Sequence, residues 1–102
     1  MNKKILIYKL AKMRKKRVKL NRLPLTALRT FEAAARLLSF KDAADELHVS
    51  ATTVSNQIRK LEKDWDCKLF IRKTRSVVLT DTGRSLSTVV SKSFGQIRRE
   101  IE

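Results

Sequence analysis

The sequence has 102 residues, room for one small domain, and its 24 Lys and Arg against 10 Asp and Glu give a formal net charge of +14. Such an excess favours a polyanionic partner, nucleic acid or an anionic membrane surface, and a hydrophobic share of 42% still leaves apolar residues enough for a core. Cys67 is the single cysteine, which excludes an internal disulfide and fits the cytosol, one His leaves the usual zinc ligand sets unfilled, and no apolar run approaches the ~20 residues of a membrane span.

The charge is unevenly placed. Residues 1–22 carry Lys3, Lys4, Lys9, Lys12, Arg14, Lys15, Lys16, Arg17, Lys19 and Arg22 and no acid, so every acidic residue lies beyond them. Like charges at that density repel in a compact state, and 1–22 reads as a basic arm, disordered when free, in which Leu6, Leu10 and Met13 could line a transient helix.

Pro24 separates the arm from a helical pattern in which Leu25, Leu28, Phe31, Ala35 and Leu38 recur on one side. Ser39 is placed to cap a second, short helix from Phe40 to about Leu47, with Phe40, Ala44 and Leu47 inward and Asp42 in its first turn. Small Ala43 and Ala44 permit close approach of another helix. Ser50 then caps a third helix through about Asp64. Short helix, tight turn, capped helix is the helix-turn-helix pattern, here over about 40–59, although an ordinary bundle of this size would read similarly and the turn lacks the Gly often found there.

The third helix, about 51–64, decides between them. At ~100° per residue, Ala51, Val54, Ile58, Leu61 and Trp65 fall on one stripe, with Glu62 toward its edge. The opposite face holds Thr52, Thr53, Asn56, Arg59, Lys60 and Lys63, and no acid. A solvated face normally mixes both signs; hydroxyls, an amide and three cations suit the major groove of DNA. There Asn pairs with adenine, and Arg or Lys with guanine. Ser50 and Ser55 add hydroxyls near the same helix start.

Leu69-Phe70-Ile71 and Val77-Val78-Leu79 read as two short strands around the basic turn Arg72-Lys73-Thr74-Arg75-Ser76. A hairpin with a cationic tip beside a recognition helix is a wing, spanning about 69–79, with Arg72, Lys73 and Arg75 suited to phosphates or the minor groove. Thr80 caps a last helix bearing Leu86, Val90, Phe94, Ile97 and Ile101 along one side. That stripe is expected to pair with a second copy, or in part to cover its own domain. His48 reads as a partly buried structural residue and Cys67 as a small apolar one. No nucleophile–base pair, carboxylate dyad or phosphate-cradling loop is legible, so neither enzymatic activity, nor a cofactor, nor a metal site is expected.

The stretch from Ala43 to Glu62, with Leu69-Phe70-Ile71-Arg72 and Leu79-Thr80-Asp81-Thr82-Gly83-Arg84, resembles the N-terminal domain of LysR-type transcriptional regulators. Leu23-Pro24-Leu25 and the run from Leu28 to Ala35 are similar to the branch holding the glycine-cleavage activator and the β-lactamase regulators. The resemblance spans about 23–94. It implies a mainly α winged helix-turn-helix at 23–80 and a linker helix from 81 to 102 that pairs two subunits. It also implies that Ser50, Thr52, Thr53, Ser55 and Asn56, with Arg59 nearby, contact DNA, the target being double-stranded and an interrupted palindrome.

Two positions depart from the pattern at the reading end: the family usually has Gln at Ala51 and commonly Arg or His at Asn56. After the third helix, Asp66 stands where Gly is favoured and Trp65 where Leu is usual. The family continues into an effector-binding domain of two α/β lobes, whereas these residues end at Glu102 within the linker helix. No small-molecule effector site is therefore expected in them. The reading that follows is a cytoplasmic, nucleoid-associated, DNA-binding transcription regulator with no membrane contact. Two other classes stay open: a charge-driven binder of RNA or anionic membrane through the arm, and a protein that dimerises with an intact regulator and blocks it.

Overall fold

Three hydroxyl side chains start three of the four helices. Ser39 Oγ accepts the amide of Asp42 at 3.0 Å, Ser50 Oγ that of Thr53 at 3.0 Å, and Thr80 Oγ1 that of Gly83 at 3.0 Å. Each satisfies one of the amides that a helix start leaves without an internal partner, a contribution of ~1 kcal/mol. In this computed structural model, which describes residues 18–102, the helices are α1 (Leu25–Leu37), α2 (Phe40–Leu47), α3 (Ala51–Asp64) and α4 (Asp81–Ile101). A single turn of 3-10 helix, Leu20–Arg22, precedes α1. The expectations for Leu6, Leu10, Met13 and most of the basic arm lie outside the described residues.

Between α3 and α4 run β1 (Phe70–Arg72) and β2 (Val77–Leu79), paired antiparallel with Phe70 opposite Leu79 and Arg72 opposite Val77. The first strand starts one residue later than its apolar pattern predicts. The Leu69 amide goes to the Glu62 carboxylate at 2.8 Å, so Leu69 is fully buried but outside the ladder.

The fold is the mainly helical winged helix-turn-helix that the sequence predicts. α1 packs against each of the other three helices, and α2 against α3. Ala33, Ala34, Ala43 and Ala44 are all buried, which lets the backbones approach closely around Phe31, Val54, Ile58, Leu61 and Leu69. Phe70 ties the wing to this core: its ring meets Phe31 at 5.6 Å and Phe40 at 5.2 Å, edge-on in both cases.

Some expected placements are corrected. Leu25 is 58% exposed, and Leu38 and Ala51 are exposed too, because each sits at a helix end where the inward stripe has run past its neighbours. His48 is exposed rather than partly buried. It closes α2 in the left-handed conformation (φ 58°), where a Gly was absent from the pattern. Leu38 (φ 50°) and Asp66 (φ 49°) do the same after α1 and α3. Cys67 is buried, as its reading as a small apolar residue requires.

Candidate nucleic-acid interface

The outward face of α3 presents Thr52, Asn56, Arg59, Lys60 and Lys63 to solvent, with Thr53 and Ser55 half-buried at its two edges. Ser50 is exposed, and its hydroxyl meets that of Thr53 at 2.9 Å, so both are engaged in the helix cap. Lys60 pairs with Asp64 at 3.3 Å, but both are well exposed and such a pair is worth little. Lys60 thus remains available to another anion. Among the described residues no carboxylate lies within ion-pair distance of Arg59 or Lys63.

Two contacts orient the helix about its own axis. On the α1 side, the half-buried Gln57 carboxamide meets the buried Thr30 hydroxyl. On the wing side, Arg72 Nη1 donates to Ser55 Oγ at 2.6 Å, and Nη2 lies 3.5 Å from the Ser55 carbonyl. Asn56 points outward between them.

Lys73, Thr74, Arg75 and Ser76 form the exposed wing tip, closed by the Lys73 amide on the Ser76 carbonyl at 2.8 Å. Arg72 stands apart from them. It is partly buried, 3.8 Å from Glu62 Oε1 and 4.9 Å above the Phe40 ring. Burial lowers its pKa, and the positive charge of Arg59 lowers it further, against the opposing pull of Glu62. Of the residues expected to touch DNA, Arg72 is the one whose guanidinium is already occupied within the chain.

Two residues carry more than their sequence pattern suggests. Glu62 is only 5% exposed and accepts the amides of both Leu69 (2.8 Å) and Phe70 (3.3 Å). Its carboxylate therefore fixes the start of the wing to α3. The one sign of this in the sequence is its position at the edge of the apolar stripe. Lys68, exposed, joins Arg59, Lys63 and Arg72 around an open cleft between α3 and β1 that Glu62, Asp66 and Cys67 also line.

The stripe on α4 is divided by depth. Val90 is buried, and Leu86 and Phe94 pack against the domain's own core. Ile97 (57% exposed) and Ile101 (81% exposed) lie beyond it, with Val89 exposed nearby. Among the described residues no group of three or more His, Cys, Asp or Glu could hold a metal ion, and no helix is long and apolar enough to cross a membrane.

Residues 25–84 match the family described as bacterial regulatory helix-turn-helix proteins of the lysR family. The chain belongs to the LysR family. Within it, the chain is similar to the HTH-type transcriptional activator AmpR of Providencia stuartii, 53% identical over 77 residues. It is also similar to the glycine cleavage system transcriptional activator of Escherichia coli strain K12, 49% identical over 74 residues. These stretches take in 76% and 72% of this chain but 26% and 24% of the two relatives, so the LysR chain described here spans about a quarter of their length.

Among solved structures, the BenM_DBD/catB site 1 DNA complex superposes with a TM-score of 0.72 at 29% identity, over 78% of this chain and 88% of that one. The CbnR_DBD–DNA complex superposes with a TM-score of 0.69 at 27% identity, over 76% and 90%. The curated relatives carry the branch resemblance, toward the glycine-cleavage and β-lactamase regulators, that the N-terminal motifs imply. Because the family's named relatives are transcriptional regulators, the membership speaks for regulation and not for catalysis.

Proposed function

We propose that the chain binds double-stranded DNA sequence-specifically and regulates transcription as the DNA-binding part of a LysR-type regulator. The observation that carries this reading is the acid-free outward face of α3, flanked by a wing tip of Lys73 and Arg75. In this reading α3 enters the major groove and the wing lies on the minor groove or phosphates. Residues 1–22 act as a basic arm, 23–80 as the DNA-binding domain and 81–102 as the linker helix. Two copies pair through α4, so that two recognition helices meet one face of an interrupted palindrome in cytoplasmic, nucleoid DNA. The solved DNA complexes of relatives with this fold support the reading.

The test is selection of bound sequences from a random duplex pool, followed by a binding profile against every single-base change in the selected site. Asn56 lies at the centre of the outward face, and its amide matches the donor and acceptor edge of adenine. Asn56→Ala should cost about 1–3 kcal/mol per half-site at one base position and relax the preference there. A uniform loss across all sequences, or none in a folded variant, would remove α3 as the reader. Binding driven by charge alone would show as a pool without enrichment.

A further inference from the structure

Among the described residues, the cleft between α3 and β1 gathers four cations, Arg59, Lys63, Lys68 and Arg72. Arg59 lies about 60° around the helix from Asn56, on the side of Ser55, and so faces the wing and not the centre of the outward face. Lys63 follows one turn later, and Lys68 and Arg72 line the cleft with them. Two acids also line the cleft and neither neutralises these cations: Asp66 lies within ion-pair distance of none of them, and Glu62 is engaged within the chain. Its carboxylate accepts two backbone amides and lies beside Arg72. Among the described residues no carboxylate lies within ion-pair distance of Arg59, Lys63 or Lys68. The positive charge of Arg59 lowers the pKa of Arg72, a sign of repulsion between the two, with Glu62 opposing it.

We infer that this cleft is a subsite for a backbone phosphate of duplex DNA, held by Arg59, Lys63 and Lys68, and that Arg59 therefore does not read a base. The inference rests on the proposed function. Neighbouring major and minor grooves are separated by a single sugar–phosphate strand. A helix seated in one and a wing over the other must straddle that strand, and the cleft occupies the gap between them. Cations on exposed stems suit a contact that fixes register without carrying sequence information.

The experiment scans a single neutral methylphosphonate linkage along each strand of the selected site and titrates the unmodified chain, Arg59→Ala and Lys68→Ala. All three side chains of the subsite are exposed, so the variants should fold, as circular dichroism and urea unfolding would verify. At one linkage per half-site the neutral group should weaken the unmodified chain several-fold and weaken the two variants no further. Each variant should also flatten the slope of log affinity against log salt by up to about 0.9 for each phosphate left without its cation, with the base preference unchanged. Altered preference at one base pair in Arg59→Ala would overturn the subsite, as would variant and linkage effects that multiply at every position. A chain without sequence preference would overturn the proposed function instead, while the salt slopes would still report on the cleft.

Discussion

Arg72 of the wing donates to Ser55 of the recognition helix at 2.6 Å, and through that bond the two DNA-facing elements are held as one body. The same guanidinium sits over Phe40 and near Glu62, so from the end of β1 it touches α2 and α3 together. A planar fork can make these contacts at once; an ammonium cannot. Arg72→Lys keeps the charge and should still lose about 1–2 kcal/mol of stability, since hydrogen bonds from charged groups contribute on that scale. It should also weaken DNA binding without changing base preference. Urea unfolding and a binding profile measure both. An Arg72→Lys variant of unaltered stability would show that Phe70 and Glu62 hold the wing without Arg72.

Glu62 is the complementary anchor. Replacing it with Ala would leave the Leu69 and Phe70 amides buried without an acceptor and Arg72 without its carboxylate. A cost of about 3 kcal/mol is expected, at 1–3 kcal/mol for each buried group left unsatisfied. Glu62→Gln restores one oxygen acceptor and should recover part of that stability. Denaturation midpoints of the two variants decide the matter, and equal midpoints for Ala and the native chain would remove the anchoring role.

The two glycines should respond oppositely to alanine. A Cβ at Gly83 would stand 2.1 Å from the Leu69 carbonyl oxygen, a backbone atom that the Thr80 amide also holds at 3.1 Å. Neither side can yield without separating α4 from the wing, so Gly83→Ala should destabilise by roughly 2–3 kcal/mol or more. At Gly95 the nearest atom is the tip of the Arg99 side chain at 3.3 Å, which can swing away. Gly95→Ala should therefore stabilise by up to about 1 kcal/mol through helix propensity. Thermal unfolding of the pair tests the contrast; similar shifts in both would refute it.

Much of this arrangement is legible from the residues in order. The helices announce themselves through apolar spacing joined to Ser39, Ser50 and Thr80, because capping is a local interaction whose partner lies three residues away. The polar face of α3 is legible for the same reason. What periodicity cannot supply is the set of contacts made across the chain. Arg72 reads as one more wing cation, and only folding brings it against Ser55, 17 residues earlier. Glu62 reads as an edge residue, because the amides it accepts belong to the next element. The α4 stripe looks uniform, since spacing identifies a face but not how far the neighbouring core extends along it. Left-handed residues are visible only in part: Asp66 stands out against a favoured Gly, whereas Leu38 at φ 50° gives no local sign.

The depth gradient along α4 gives the dimer proposal its most discriminating test. Val90 and Phe94 already pack within their own domain, so charging either one confounds association with folding. Val90→Glu would bury a carboxylate among apolar side chains and should unfold much of the population. Ile97 and Ile101 stand largely exposed and contribute little to the domain's own core. Ile97→Glu with Ile101→Glu should therefore leave helicity and unfolding temperature nearly unchanged while abolishing self-association. If two recognition helices bind one site together, breaking the link removes the advantage of the second half-site, which is worth about 10²-fold or more in affinity. Sedimentation across a concentration series, paired with titration of a full site and a half-site, reads both effects. The expected result is a folded monomer that binds the full site no better than the half-site. A native chain that stays monomeric at high concentration would end the proposal, as would a doubly charged variant that still dimerises.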